Sequence, residues 1–367
     1  MAESSWRDEL ARTITDVAGL PDYLTLTDDE RRFFDAPPEA HGPLALKVPL
    51  AVVRRMVEAA RRAGGQVLST DPLRRQFIPT AAELETQPYE LADPLGEERY
   101  SPVPRLIHRY PDRALLLVTD QCVVHCRYCF RSRFTGGSHG GISRDELRAV
   151  ESYLAAHTEI RELILSGGDA LMLGDGALAD VLDAARHARP DIVFRVATRI
   201  PVVMPGRVTA ELARLLRARA PLWVVVQANH PDELHAEASQ ALSVLADAGI
   251  PVINQTVLLA GVNDDAKTLD ELFTALVRLR VKPYYLFQAD LAPGTSHFRV
   301  NVERALWIVA ELRRRLSGLA MPVFAVDIPG GAGKVPLEPS ALIGEDESGY
   351  RLRAADGHVH HYPKEEG

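Results

Sequence analysis

Three cysteines lie within the short stretch Asp120 to Arg131, and the chain has no others. Cys122, Cys126 and Cys129 have the spacing C-x3-C-x2-C, which lets three thiolates converge on one soft metal centre, an iron–sulfur cluster or zinc. A four-iron cluster held by three thiolates keeps one iron free for a ligand that is not protein. A structural zinc ion completed by His125 or another histidine, or three unconnected core cysteines, are the alternatives.

A second candidate for chemistry is Lys334, which ends the glycine-rich run DIPGGAGK that begins at Asp327. The run is not a phosphate-binding nucleotide loop, because Val335 follows where that motif needs Ser or Thr. A lysine on a small loop could instead form a Schiff base, since an imine forms on a partly desolvated amine. A plain surface turn is the alternative.

The elements that must position these residues alternate regularly after Arg113. Short apolar runs predict strands, and the stretches between them predict helices. The runs are residues 114–119, 162–167, 192–198, 222–228, 251–259, 283–288 and 322–327, and the helices are residues 143–156, 176–187, 209–218, 232–248, 266–279 and 302–316. Near-continuous apolar strands that alternate with helices predict a parallel sheet with right-handed crossovers, a full or partial βα barrel.

Polar residues follow each predicted strand, at the carboxyl ends where βα barrels place their chemistry. After the cysteine loop these groups are Ser166-Gly167-Gly168-Asp169, Thr198-Arg199, Gln227 to His230, Asn254-Gln255-Thr256, Gln288-Ala289-Asp290 and Asp327. The glycine pair lets backbone approach a ligand closely, and the alternative is an ordinary turn capped by Asp169. We therefore predict one site on this rim.

Composition favours small-molecule chemistry. The 367 residues, 46% hydrophobic and 25% charged, fit one large domain with a smaller appendage, and the formal charge of −8 argues against a nucleic-acid surface. No apolar run reaches the roughly 18 residues of a membrane span, and the start of the chain lacks the regions of a signal peptide. Three cysteines without disulfide partners suit a reducing compartment, so a cytoplasmic protein is expected.

The flanks differ from the barrel pattern. Amphipathic patterns at residues 6–17 and 50–63 predict a helical N-terminal region over residues 1–105, followed by the barrel over residues 106–337. Residues 338–367 form a C-terminal extension, in which YRLRAADGHVHHY predicts a hairpin turning at Asp356-Gly357. His358, His360 and His361 could bind a metal there, and an exposed hairpin is the alternative.

The cysteine motif, with Tyr128 just before its last cysteine, resembles that of the radical S-adenosylmethionine superfamily. From about residue 70 to about residue 337 the chain further resembles the lysine 2,3-aminomutase family, through the motifs HRYPDR, LSGGDAL, NHPDE, NQTVLL, GVNDD, PYYLFQADL, GTSHFR and DIPGGAGK. The resemblance implies an α/β fold, a partial (βα)6-type radical SAM barrel with a helical N-terminal appendage and a C-terminal hairpin. It also implies a [4Fe-4S] cluster, S-adenosyl-L-methionine and pyridoxal 5'-phosphate.

The resemblance assigns roles to named residues. Lys334 would carry pyridoxal phosphate, Arg131 would bind the substrate carboxylate, and Asp290 and Asp327 would bind the distal ammonium of lysine. The remaining positions would contact cofactors, with Tyr128 near the adenine, the glycine pair near the methionine amino group and two arginines at the cofactor phosphate. These positions are Arg109, Arg113, Tyr128, Ser166, Gly167, Gly168, Asp169, Thr198, Arg199 and Gln255.

The implied activity is an isomerase that interconverts L-lysine and β-lysine by 1,2-amino migration through an external aldimine radical. Two acids far from a carboxylate-binding arginine suit a cationic amino acid, because a desolvated ammonium needs a carboxylate partner; relatives acting on glutamate replace these acids. The same chemistry on L-arginine, or the elongation factor P-linked branch that makes (R)-β-lysine, are alternatives. A non-catalytic iron–sulfur or pyridoxal-phosphate carrier is disfavoured by the intact triad.

The resemblance also implies partners. They are a flavodoxin- or ferredoxin-type electron donor and further copies of the chain, as a homo-oligomer (dimer or tetramer). One departure bears on assembly, because some lysine aminomutases have extra cysteines that bind structural zinc between subunits, and this chain has none.

Overall fold

The computed structural model describes residues 4–21, 24–62, 70–137, 139–338, 340–354 and 357–364. Its main feature is a nine-stranded sheet, flanked by a two-stranded and a three-stranded sheet. The strands are β1 (Thr13–Ile14), β2 (Val48–Pro49), β3 (Leu106–Tyr110), β4 (Arg113–Thr119), β5 (Glu162–Gly167), β6 (Val193–Thr198), β7 (Leu222–Gln227), β8 (Val252–Leu258), β9 (Val281–Gln288), β10 (Val323–Ile328), β11 (Gly333–Pro336), β12 (Leu342–Asp346), β13 (Gly349–Arg353) and β14 (Val359–Pro363).

Eleven α-helices lie in the described residues, four before the large sheet and seven between its successive strands. They are α1 (Ser4–Ala11), α2 (Asp28–Asp35), α3 (Leu50–Arg62), α4 (Pro72–Phe77), α5 (Arg144–Ala156), α6 (Asp175–Ala188), α7 (Ile200–Val203), α8 (Ala210–Arg217), α9 (Ala236–Asp247), α10 (Ala266–Arg278) and α11 (Val302–Arg315). Strands β4 to β10 run parallel in chain order, with one crossover helix or helix pair between neighbours. The predicted partial barrel of βα units is confirmed.

Polar caps begin the crossover helices. Ser143 and Glu146 form a capping box at the start of α5, and the Asp265 carboxylate accepts the amides of Lys267 and Thr268 at the start of α10. These caps satisfy amides that have no partner inside the helix. The helices then pack on the sheet through apolar faces, such as Leu269, Leu272, Phe273 and Leu276 of α10. None of the helices in the described residues is long and apolar enough to cross a bilayer.

The inner face of the sheet lines a cavity. Along β5 and β6 the residues that face the helices, such as Leu163 and Phe194, are completely buried. The alternate residues Ile164, Arg195 and Ala197 border the cavity. Because side chains alternate between the two faces of a strand, one set builds the core and the other builds the wall of the site.

Two strands at the edges of the large sheet were absent from the sequence-based prediction. β3 pairs antiparallel with β4, and β11 pairs antiparallel with β10. β3 and β11 are the two ends of the strand order and are not paired with each other. The barrel is therefore open along a seam between β3 and β11.

The N-terminal region is partly helical, but its first predicted helix was too long. The helix expected over residues 6–17 ends at Ala11, and Thr13–Ile14 pairs as β1 with β2. The second is α3, which begins at Leu50 and ends at Arg62; Ala63, the last residue of that prediction, lies outside the described residues.

The C-terminal extension contains a three-stranded antiparallel sheet in the order β12-β13-β14. Strands β13 and β14 form the predicted hairpin, with Tyr350 opposite Tyr362. Asp356, one of the two predicted turn residues, lies outside the described residues, and Gly357 has the positive φ of 90° that favours glycine. The additional strand β12 was not predicted.

Candidate active site

One cavity of about 450 Å³ opens at the carboxyl ends of the parallel strands and contains every site residue predicted from the sequence. Those lining residues are Cys122, Cys126, Cys129, Tyr128, Arg131, Arg109, Arg113, Ser166, Gly167, Gly168, Asp169, Thr198, Arg199, Gln255, Asp290, Asp327 and Lys334. These residues lie on eight separate strands or in the loops that follow them. Their convergence on one cavity is the central observation about the site, and the role of each residue stays a prediction.

The cysteine loop is held in shape by hydrogen bonds to the N-terminal region and to the segment that follows the loop. Asp120, completely buried at the end of β4, accepts the amides of His139 and Gly140 at 2.8 and 3.0 Å. The His125 amide donates to the Lys47 carbonyl, and the Arg127 amide donates to the Gln76 carbonyl, both at 2.9 Å. The N-terminal region therefore fixes the path of the loop that presents the three thiols.

The three cysteines are partly buried where they line the cavity, and the charged side chains of Asp169 and Arg199 lie close to them. Burial raises the pKa of Cys129 to about 11 and raises that of Cys122, with the neighbouring Asp169 carboxylate adding to the second effect. His125 Nδ1 donates to the Ala45 carbonyl at 2.8 Å, and burial lowers the pKa of His125 to about 4. No three His, Cys, Asp or Glu side chains of the described residues converge on a single metal ion.

Arg199 joins the thiols to a buried polar network. Its Nη1 donates to Cys126 Sγ at 3.0 Å and also to the Tyr128 hydroxyl, and its Nη2 donates to Gln76 and Glu233, both at 2.6 Å. The Glu233 carboxylate compensates the buried cation, as a charge removed from water requires. A hydrogen bond to a cysteine sulfur is one of the means by which proteins tune an iron–sulfur cluster.

A small apolar cluster borders the cysteine loop. The cluster consists of Tyr128, Leu259, Val262, Ala289 and Phe298, and Cys126 packs against it. The Tyr128 and Phe298 rings meet edge to face at 6.0 Å, and the Tyr128 hydroxyl accepts a hydrogen bond from Asn229 at 2.6 Å. Tyr128 and Cys126 line the cavity, and the rest of the cluster is buried behind them and fixes the position of the Tyr128 ring.

The glycine pair lies against the backbone of the cysteine loop. A Cβ on Gly167 would come within 2.2 Å of the Thr119 carbonyl, and one on Gly168 within 2.3 Å of the Gln121 carbonyl. Gly167 also has φ 111°, a conformation that L side chains rarely adopt. Close packing of β5 against β4 therefore requires both glycines, in addition to any role in binding a ligand.

Asp169 is engaged with protein donors on both carboxylate oxygens. One oxygen accepts the Thr198 hydroxyl at 2.7 Å and the Leu171 amide at 3.0 Å, and the other accepts the Arg199 amide at 2.6 Å. The cap that the sequence offered as an alternative is present. Asp169 thus ties the ends of β5 and β6 together, and its contact with a cofactor stays a prediction.

Arg131 is paired with an acid that the sequence analysis did not identify. Its Nε lies 3.2 and 3.1 Å from the two Glu97 carboxylate oxygens, and its Nη2 lies 2.6 Å from one of them. Its Nη1 donates to the Ser166 hydroxyl at 3.1 Å. Glu97 comes from the N-terminal region, far from Arg131 in sequence, so no local pattern indicated the pair.

Lys334, Asp327 and Arg109 form an ion triad. Asp327 Oδ2 accepts from Lys334 Nζ at 2.7 Å, and Asp327 Oδ1 accepts from Arg109 Nη2 at 3.0 Å. Tyr110 lies between two cations, because the guanidinium carbons of Arg109 and Arg113 are 4.7 and 3.9 Å from the centre of its ring. The Asp327 side chain is largely buried, so these pairs are shielded from water.

Asp290 faces the same part of the cavity with a perturbed acidity. Burial and the nearby Asp327 carboxylate raise the pKa of Asp290 to about 7, against the opposing pull of Lys334 and Arg131. Its carboxylate accepts no hydrogen bond within the described residues. A buried acid without a partner, beside a second acid, is suited to receive a cation.

Comparisons with known proteins agree with these features. The family model described as Radical SAM superfamily matches residues 116–272, and the one described as Lysine-2,3-aminomutase matches residues 309–367. The chain is 42% identical to the L-lysine 2,3-aminomutase of Fusobacterium nucleatum over 295 residues, 80% of this chain and 69% of that protein. It is 38% identical to the L-lysine 2,3-aminomutase of Clostridium subterminale, over 98% of this chain and 84% of that protein. It is also 38% identical to the glutamate 2,3-aminomutase of Clostridioides difficile, over 79% of this chain and 68% of that protein.

Proposed function

Because this chain belongs to the lysine 2,3-aminomutase family of radical SAM enzymes, we propose that it interconverts L-lysine and β-lysine by moving an amino group between neighbouring carbons. One observation carries this proposal. A single cavity holds three thiols, a carboxylate-binding cation at Arg131, an amine at Lys334 and two acids at Asp290 and Asp327. Each chemical group of lysine thus has a complementary partner.

The family implies a [4Fe-4S] cluster and S-adenosylmethionine, and the donor set fits them. Cys122, Cys126 and Cys129 are the thiols available to the cluster, and Tyr128, whose ring lines the same cavity, suits the adenine. Pyridoxal phosphate is our further proposal, supported by the Lys334 amine and by Arg109 and Arg113, whose guanidinium groups suit a phosphate. Bound there, these groups would supply a hydrogen-abstracting carbon radical and a conjugated ring that stabilises an unpaired electron.

The protein's own residues bind and orient the substrate in this proposal. Arg131 holds the α-carboxylate, while Asp290 and Asp327 hold the distal ammonium. Neutral or acidic amino acids would leave a buried acid unpaired, which costs several kcal/mol. Glutamate, the substrate named for one relative, would place a carboxylate against Asp290 and Asp327 and is disfavoured by repulsion.

The remaining parts of the proposal concern the cellular setting. We place the enzyme in the cytoplasm, since a reducing compartment protects an iron–sulfur cluster and free thiols. A flavodoxin- or ferredoxin-type protein would reduce the cluster, and the enzyme would act as a homo-oligomer.

The test is an anaerobic assay of reconstituted protein with L-lysine, L-arginine, L-glutamate and L-alanine, with product enantiomers resolved. We expect turnover of L-lysine to β-lysine. Preferred turnover of L-arginine, or of L-glutamate, would replace the proposed substrate, and the (R) enantiomer alone would favour the elongation factor P-linked branch. Lys334→Ala should abolish turnover while the cluster's visible absorption stays; undiminished turnover by this variant would contradict the Schiff-base role.

A further inference from the structure

We propose that Glu97 is a positioning residue for the substrate carboxylate, acting through Arg131. The inference rests on the proposed function, because it takes Arg131 as the group that binds the α-carboxylate of the amino acid. Glu97 itself would not touch the substrate. Its carboxylate fixes the plane and direction of the Arg131 guanidinium before any substrate enters.

The contacts of Arg131 define this fixed orientation. Glu97 occupies the edge formed by Nε and Nη2, with the closest N···O distance at 2.6 Å. The Ser166 hydroxyl accepts from Nη1 at 3.1 Å, and the guanidinium carbon lies 4.6 Å from the centre of the Phe130 ring. Both charged side chains are about nine-tenths buried, at 9% and 10% exposure. The guanidinium is thus held on three sides in a place from which water is largely excluded.

The N–H groups of Arg131 that have no protein partner suit a carboxylate ligand. Of the five N–H groups of a guanidinium, Glu97 takes those on Nε and one on Nη2, and Ser166 takes one on Nη1. One N–H on each terminal nitrogen is left. Two N–H groups on neighbouring nitrogens are the pair that binds a carboxylate with two parallel hydrogen bonds, and Arg131 lines the cavity.

Charge gives Glu97 a second effect on Arg131. An unpaired guanidinium at this depth would carry a large desolvation penalty and would attract the Asp290 carboxylate, which exerts a Coulomb effect on it. If Arg131 paired with Asp290, Arg131 would no longer bind the substrate carboxylate and Asp290 would no longer bind the ammonium. Glu97 keeps the two ends of the substrate site apart.

Glu97 lies in residues 80–100, a segment that crosses the opening of the barrel and is here called the mouth segment. Asp93 accepts the amides of Glu97 and Glu98, both at 3.0 Å, and so fixes the turn that aims Glu97 inward. The mouth segment also binds the loops that carry Asp290 and Lys334. The Leu91 amide donates to the Leu291 carbonyl at 2.8 Å, and the Gly330 amide donates to the Pro94 carbonyl at 2.7 Å.

The experiment is a double-mutant cycle on the reconstituted enzyme, with kcat and KM for L-lysine as readouts. Glu97→Gln keeps the shape of the side chain and removes its charge. We expect kcat/KM to fall about 10- to 100-fold, because small misplacements of a bound substrate cost about that much. In an Arg131→Gln background, Glu97→Gln should change kcat/KM by less than about 2-fold, since the residue acts only through Arg131.

The neighbouring acid Glu98 provides the matched control. It is exposed and pairs with Arg133 at 2.6 Å on the outside of the mouth segment. Glu98→Gln should leave kcat/KM unchanged within about 2-fold, as expected for an exposed pair. Equal effects of the Glu97 and Glu98 variants, or additive effects of Glu97→Gln and Arg131→Gln, would overturn the proposal.

A binding measurement separates positioning from loss of fold. The rise in Tm on adding L-lysine should be smaller in Glu97→Gln than in wild type, while the rise with 1,5-diaminopentane, which lacks the carboxylate, should be the same in both. Equal losses with both ligands would mean a merely structural role. Should Glu97→Gln fail to fold, Glu97→Asp, which keeps the charge, is measured in the same way. Wild-type protein without lysine turnover would instead refute the proposed function, so the two failures are distinguishable.

Discussion

At the scale of single residues, the acids of the cavity are distinguished by their partners. Asp327 is already paired with Lys334 and Arg109, whereas Asp290 has no hydrogen-bonded partner in the described chain. Two acids of the same type therefore differ in their readiness to accept a cation. In the proposed function, the substrate ammonium would give Asp290 its first ionic partner. To bind the same ammonium, Asp327 would have to exchange Lys334 or Arg109 for it.

The raised pKa of Asp290 predicts a pH dependence. Only the anionic carboxylate pairs with an ammonium, so kcat/KM for L-lysine should rise with pH through about pH 7, the pKa set by burial and Asp327. Asp290→Asn should remove this acidic limb and lower the plateau about 30-fold or more, since losing one partner of a buried charge pair costs roughly 2 kcal/mol or more. Kinetics from pH 5.5 to 8.5 check both. A limb that persists in Asp290→Asn would assign it to another group.

The same pKa has a consequence for stability in the ligand-free protein. Because the pKa of Asp290 is raised in the folded protein, the folded state binds this proton more tightly than the unfolded state does. The stabilisation that results is fully present below the pKa of the unfolded carboxyl and is lost as pH rises through about 7. Asp290→Asn should therefore gain Tm relative to wild type at pH 8 and not at pH 4.

Sequence patterns predicted which residues line the cavity, but they did not predict the contacts between those residues. Cys122, Lys334 and Asp327 stand in short motifs whose residue types state their chemistry. Glu97 stands in no such motif and reaches Arg131 only because the mouth segment folds over the barrel. A contact between residues this far apart depends on the tertiary path of the chain, which local periodicity does not contain.

At the scale of elements, the junction of β4 and β5 carries the cysteine loop. Gly167→Ala or Gly168→Ala would place a Cβ within 2.3 Å of the loop backbone, at the Thr119 or the Gln121 carbonyl. The backbone must shift, at a cost of roughly 1–3 kcal/mol, and we expect substoichiometric iron after anaerobic reconstitution. Iron and sulfide analysis measures this.

Gly176 in α6 is the control for these variants, because a Cβ there meets no atom within 4 Å. Gly176→Ala should keep full iron content and the wild-type Tm or a slightly higher one, since alanine favours a helix. Normal iron content in both the Gly167 and the Gly168 variants would show that the close packing of the two strands does not hold the loop.

Elements were predictable where one pattern repeats over a whole strand or helix. Strands β4 to β10 are apolar runs buried by helices on one face, and this signal is continuous in the sequence. β3 contains His108, Arg109 and Tyr110, and β11 is only four residues long. Both pair antiparallel at an edge of the sheet, where polar residues are tolerated, so they lack the apolar run that identifies a central strand.

At the scale of the whole molecule, one buried ion pair joins two helices of the N-terminal region, and a second joins that region to the cysteine loop of the barrel. Arg74 of α4 is paired with Glu30 of α2, with side-chain exposures of 2% and 3%. Arg127 of the cysteine loop is paired with Glu83 at 2.6 Å. The helices before the barrel are thereby packed into one body with the loop that carries the thiols.

Breaking the first of these pairs should destabilise the protein strongly. Arg74→Met leaves the Glu30 carboxylate buried without its cation, and we expect the free energy of unfolding to fall by about 3–5 kcal/mol. Glu271→Ala removes one partner of the exposed Lys267–Glu271 pair and should cost less than about 0.5 kcal/mol. Chemical denaturation of both variants gives the comparison. Similar small losses in both would mean that the N-terminal region is not fixed by the buried pair.

The seam of the barrel is closed by side chains rather than by paired backbones. Arg109 on β3 reaches Asp327 on β10 across the gap between the edge strands, and Lys334 on β11 binds the same carboxylate. In the proposed function these two cations also receive pyridoxal phosphate. Binding of pyridoxal phosphate would then replace the ion pairs that connect the two edges of the sheet. Cofactor binding and stability against unfolding are therefore thermodynamically linked. The melting temperature of the protein would consequently report how much of it is loaded, before any substrate is added.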